Sequence, residues 1–417
     1  MTYCTKMMSA VRPILVATTL LLMSQLDRGV LAAVQHGPRD EGSMEEFEEI
    51  DPYTKGEREL LDKLGYVRFG PFTWTKGHPT NELEEMLGGT PMIWVETEHF
   101  KIGSSLSTYK VPADKEEKER LKEEIKRLKK RLGRLKTSRN ELDPWLRLHL
   151  FAQRAEELYA KFVTDFGLTP DDFGKKEPYL GNPNKFLVLL CQRKSELSRY
   201  TKGVHNQVQD AVFRMGLYKD CMVLGASMES IVENFPDQDN KPFDSIMHCR
   251  MIASLTTNFV DGFQSHLYQA PRWLGNVLAH YYVRQVDPRW MISRGHGPND
   301  AAKEDGWKWE PVIMQLVKNK FFASAEQMFA WEKYEDMNKR DHMIAWSKIE
   351  YLMTVAEGDR SGWIEAMCRR GKGGKGGDVK KELVERQTRA LLGCFELTPK
   401  ELDAAWVKWV KKVYKRR

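Results

Sequence analysis

Apolar positions along this chain follow two periods, and each change of period marks an element. From Met92 to Val111 they alternate. Ile93, Val95, Phe100 and Ile102 suit a pleated surface, and Gly103-Ser104-Ser105 interrupts the run, so two paired strands are predicted. Lys185 to Cys191 (KFLVLLC) is apolar almost throughout, as expected of a central strand covered on both faces. Cys221 to Ser227 (CMVLGAS) reads as a second buried strand, and Arg193 to Tyr200 as a short helix. Elsewhere the period lengthens. Leu148, Ala152, Ala155, Leu158, Phe162 and Phe166 recur at helical spacing behind Pro144, which predicts a long amphipathic helix. From Phe243 onward the pattern is mostly helical, with Ala270-Pro271 separating a helix over 251–263 from another over 273–282.

One helical stretch is unlike the others. Leu121, Ile125, Leu128, Leu132 and Leu135 form a heptad-like seam between charged flanks. Its five glutamates all fall in the first half, and the second half carries only basic charges, an order that complements the helix dipole. No aromatic side chain interleaves these charges, so the basic end lacks the stacking platform of a nucleic-acid surface. The expectation is an inserted, charged helical hairpin at 113–137, with self-association through this helix as an alternative role.

Composition narrows the class. The chain has 417 residues, 41% of them hydrophobic, and 12 Trp, enough to bury a large core. A net charge of +6 from 65 basic and 59 acidic side chains is no nucleic-acid signature, and no nucleic-acid partner is expected. Pro13 to Met23 is an apolar run too short to span ~30 Å of hydrocarbon as a helix. Preceded by Lys6 and Arg12 and followed by Val30-Leu31-Ala32-Ala33, it makes residues 1–33 read as an export signal. The predicted location is the periplasm, cell envelope or extracellular space, with membrane contact only through that signal. An acidic tether (34–51) and a lead-in subdomain (52–91) follow. Cys191, Cys221, Cys249, Cys368 and Cys394 include no CxxC pair, so small buried side chains are expected, with room for one disulfide.

The stretch 251–290 carries the candidate chemistry. Pro271-Arg272-Trp273-Leu274-Gly275-Asn276 resembles the P-x-W-L-x-E phrase of gluzincin-class zinc peptidases, whose preceding helix bears HExxH. In that motif two His at i and i+4 share a helical face, and the Glu acts as base on zinc-bound water. A carboxylate from the next helix is a further ligand. Laid on this pattern, Ser254-Leu255-Thr256-Thr257-Asn258 takes the HExxH register, with Ser254 and Asn258 at the histidines, Leu255 at the base and Asn276 at the carboxylate. Neutral oxygens are poor zinc ligands beside imidazole and carboxylate, and Leu255 accepts no proton. Trp94–Ile102 (WVETEHFKI) is similar to the opening strand of peptidase-MA-like proteins, and Lys185–Tyr200 to their strand and helix. Leu397–Leu402 with Trp406 and Trp409 is similar to their closing helix, and Thr398-Pro399 is also a helix-start signal in its own right.

The resemblance covers 92–417. It implies an α+β fold: a small N-terminal β-sheet and a mostly helical C-terminal half in a gluzincin-like (thermolysin-like) arrangement. It further implies a pseudo-peptidase without metal, cofactor or catalytic residue, binding an unidentified polypeptide or envelope component or acting as a scaffold. Two other constellations compete. His248, His266 and His280 flank the same region and would serve a hydrolase with an atypical site. Trp307 and Trp309 alternate in GWKWE and, with His266 and His280, are the expected ligand-facing edge. Most of the other Trp residues of the C-terminal half sit at helical spacing and are expected in the core.

Overall fold

A computed structural model describes residues 50–417 except 76, 134, 136–139, 218–220, 236–240, 266–268, 291–305, 370–378 and 416–417. The predicted export signal, most of the acidic tether and His266 lie outside the described residues. Among the described residues, no helix is long and apolar enough to cross a membrane.

In chain order the strands are β1 (Tyr66–Phe69), β2 (Thr73–Thr75), β3 (His78–Pro79), β4 (Ile93–Thr97), β5 (Phe100–Ser104), β6 (Tyr109–Lys110), β7 (Glu141–Leu142), β8 (Phe186–Cys191), β9 (Phe213–Leu217) and β10 (Cys221–Ser227). The helices are α1 (Arg58–Leu64), α2 (Thr80–Met86), α3 (Lys115–Leu132), α4 (Pro144–Phe166), α5 (Lys194–His205), α6 (Met228–Val232), α7 (Phe243–Asp261) and α8 (Arg272–Val286), then α9 (Trp309–Lys318), α10 (Ala325–Phe329), α11 (Lys339–Thr354), α12 (Arg360–Cys368), α13 (Val379–Phe395) and α14 (Pro399–Val413).

The fold is α+β, built on a six-stranded mixed sheet of order β1-β4-β5-β8-β10-β9. β5, β8 and β10 run parallel, with Phe100 opposite Phe186 and Leu187 opposite Val223. The β1–β4, β4–β5 and β10–β9 pairs are antiparallel. The sheet is larger than the small N-terminal one expected, because strands from Tyr66 to Ser227 join it. The 52–91 stretch contributes β1, so the boundary expected at residue 91 does not divide the sheet.

Side-chain alternation explains its two faces. Phe186, Val188 and Leu190 of β8 and Met222, Leu224 and Ala226 of β10 join the large core with α4 and α7. Leu187, Leu189, Cys191 and Val223 face a smaller cluster closed by Leu197, Tyr200, Trp74 and Trp94. Gly103 makes room there for Trp94: a Cβ on it would lie 2.2 Å from the indole.

Local signals set the helices that frame the site. Asp143 accepts from the Leu146 N–H at 3.0 Å, Pro144 opens α4, and Gly167 closes it in a left-handed conformation. Asp114 caps α3 through the Glu117 N–H at 2.7 Å. The α3 leucine seam does not face outward. Leu121, Leu128 and Leu132 are buried in the chain's own core, and Glu124 pairs with Arg154 of α4 at 2.7 Å. Its exposed face is the charged one, so the leucines of the seam are committed to the chain's own core. At the start of the described chain, buried Asp51 meets Nε2 of His149 at 3.1 Å, and Nδ1 of the same ring meets the Tyr66 hydroxyl at 2.9 Å.

Candidate functional site

A sharp turn follows α7. Gln264 and Ser265 take φ of 49° and 56°, held where the Gln264 N–H donates to the Leu180 carbonyl at 2.8 Å and the Ser265 hydroxyl donates to that of Gly181 at 2.7 Å. Pro271, which cannot continue a preceding helix, then precedes the first residue of α8. The two helices touch at Gly275, where a Cβ would lie 2.8 Å from the Thr257 methyl.

A cavity of about 190 Å³ lies beside this contact. Arg250, Ala253, Ser254 and Thr257 of α7 line it, facing Asn276, Ala279 and His280 of α8. Arg214 of β9, Ser230 of α6, Asn234 and Tyr334 line its other sides. The structure therefore brings together Ser254 and Asn276 of the four expected cleft positions. The other two do not line it, which corrects their assignment. Leu255 is fully buried in the apolar core. Asn258 turns toward the sheet, where its amide donates to the Val223 carbonyl at 3.2 Å and accepts from Arg214 at 3.0 Å.

The lining mixes polar and apolar side chains and holds no carboxylate among the described residues. Thr257 donates its hydroxyl to the Ala253 carbonyl at 2.8 Å. Asn276 gives one amide hydrogen to the Arg272 carbonyl at 3.0 Å. Arg214 is balanced by Asp261 at 3.0 Å. Arg250 is not balanced: its Nε is sealed from solvent without a partner, and burial pushes its pKa down to about 10.

The expected histidines occupy different surroundings. His280 lines the cavity and its Nε2 sits 3.1 Å from Nδ1 of His342, a partner that sequence spacing did not suggest. His248 does not line it; it lies 3.7 Å from Glu124, and burial together with Arg154, Arg120 and Arg127 pushes its pKa well down, leaving a neutral ring. Trp309 is not an exposed ligand edge. It is 5% exposed, with the Arg284 guanidinium 4.8 Å above its ring and Trp346 against it. Trp307 is half-buried, and its carbonyl accepts from Arg284 at 2.8 Å. Cys191, Cys221, Cys249, Cys368 and Cys394 are free thiols, all but Cys394 buried. Among the described residues, no group of three or more His, Cys, Asp or Glu is placed to hold a metal ion.

Arg250, Ala253 and Thr257 were missed by the sequence reading, although a stripe of small and polar residues on an otherwise apolar helix is a signal for them. Comparison with protein-family models, curated proteins and solved structures found no match.

Proposed function

We propose that the chain is an exported, non-catalytic relative of the gluzincin-type peptidases, whose former peptidase cleft now binds a ligand. One observation carries this. Ala253, Ser254 and Thr257 stand at i, i+1 and i+4 on α7 and line a single cavity with Asn276 of the next helix. That is the spacing of HExxH on its helix, with a residue from the following helix opposite. The matching register lies one residue earlier than the sequence suggested: Ala253 and Thr257 stand at the two histidines and Ser254 at the base. A methyl group, two hydroxyls and a carboxamide neither take a proton from water at neutral pH nor compete for zinc. The three-part pattern of residues 1–33 supports export.

Metal content tests the proposal. The variant Ala253→His/Ser254→Glu/Thr257→His/Asn276→Glu is expected to acquire near-stoichiometric zinc by elemental analysis. The alternative set Ser254→His/Leu255→Glu/Asn258→His/Asn276→Glu is expected to gain none and to lose stability, because Leu255 and Asn258 are buried. Zinc in the second set rather than the first, or a folded first set without zinc, would overturn the proposed register. Stoichiometric zinc in the unaltered protein would overturn the inert cleft.

A further inference from the structure

We propose that the cavity between α7 and α8 binds a carboxylate group, with Arg250 as its counter-ion. Arg250, Ala253, Ser254 and Thr257 stand at i, i+3, i+4 and i+7, so they share one face of α7. Arg250 lines the cavity, is half-buried and, among the described residues, makes no hydrogen bond and no ion pair; its Nε is closed off from solvent. Arg386 also has an unpartnered Nε, but its terminal nitrogens donate to backbone carbonyls, and four other arginines meet carboxylates. Arg147 meets Asp244 at 3.2 Å, Arg154 meets Glu124 at 2.7 Å, Arg120 meets Asp287 at 3.3 Å, and Arg284 meets Glu310 at 3.0 Å. Arg250 thus offers a half-buried cation that no side chain of the described residues neutralises. A ligand of opposite charge would supply what the chain does not.

The cavity also selects the kind of anion. Arg214 is neutralised by Asp261, so the described lining carries one unbalanced positive charge. That matches a carboxylate monoanion rather than a phosphate dianion. The planar guanidinium fork fits two carboxylate oxygens. The Ser254 hydroxyl makes no hydrogen bond among the described residues, and Asn276 keeps a second amide hydrogen; both are donors. A volume of about 190 Å³ suits a small carboxylate or the last residue of a polypeptide. The polypeptide source rests on the cleft proposed above, whereas the carboxylate site rests on Arg250.

Calorimetric titration of the full chain tests the site, using N-acetylalanine, the tripeptide Ala-Ala-Ala, its C-terminal amide and inorganic phosphate. The expected result is binding of at least one free carboxylate, and at least tenfold weaker binding of the amide and of phosphate. Tighter binding of the tripeptide identifies a chain terminus; equal or tighter binding of N-acetylalanine identifies a small free acid. Arg250→Met is expected to weaken binding at least tenfold while the unliganded Tm stays level or rises. Ser254→Asp, which offers Arg250 a carboxylate one turn away, is expected to raise Tm and block binding. The proposal falls if no free carboxylate binds, if the amide or phosphate binds as tightly as the acid, or if both variants bind normally. A zinc-acquiring first variant set combined with no carboxylate binding would leave the cleft's lineage standing and remove only this site.

Discussion

At the scale of single residues, Gly275 sets how closely α7 and α8 approach. A methyl group there would sit 2.8 Å from the Thr257 side chain, closer than side-chain carbons tolerate. Gly275→Ala is therefore expected to destabilise the protein by about 1–3 kcal/mol, measured by chemical denaturation. It should also perturb ligand binding in the adjoining cavity, since Thr257 lines both. The same helix shows why the site was half legible. Met251, Ile252, Leu255, Phe259 and Val260 of α7 are all buried, so the helix has no broad polar face to fix its rotation. Matching by residue type then settled on Asn258, whose amide is in fact engaged by Val223 and Arg214. A slip of one residue turns a helix by about a quarter of a turn, enough to point two of four assigned side chains away from the cavity.

At the scale of elements, α3 differs most from its expected role. Its apolar seam closes the chain's own core, so Leu128→Ala is expected to cost about 2–5 kcal/mol while light scattering reports an unchanged particle mass. A halved mass on this substitution would favour the self-association role. Elements with complete local signals were readable. β8 is buried at every position, as its unbroken apolar run implied, and α14 begins where Thr398 and Glu401 cap each other. Thr398→Ala should lower stability by about 0.5–2 kcal/mol, seen as a lower denaturation midpoint. β1 and β9 were not readable. Both are short edge strands with half-exposed residues, YVRF and FRMGL, and pairing to β4 and β10 rather than local pattern makes them strands.

Across the whole molecule, α3, α4 and α7 are tied by buried charges. Arg154 bridges Glu124 and Asp244, and Glu117 accepts from the Ser245 N–H and hydroxyl at 3.1 and 2.8 Å. Burial, reinforced by Asp244, pushes the Glu117 pKa up to about 7. Its folded value thus exceeds the ordinary 4.5 of an unfolded chain, so the folded state holds this proton more tightly. The resulting stability is full below about pH 4.5 and declines as pH rises toward about 7. Glu117→Gln is expected to flatten that part of the stability profile, by on the order of 1–3 kcal/mol, in denaturation curves taken from pH 4 to 8. An unchanged slope would show that Glu117 is already ionised in the fold. Such a network, assembled from residues up to 128 positions apart, leaves no trace in local sequence pattern.

The chain of Asp51, His149 and Tyr66 has a practical corollary for trimming this protein. A fragment starting at Pro52 would leave one imidazole nitrogen of His149 facing dry core, since that ring is 0% exposed and Asp51 is the group that meets it. A chain beginning at Pro52 should therefore melt distinctly lower than one beginning at Ile50, a comparison that isolates what Asp51 contributes to the buried histidine.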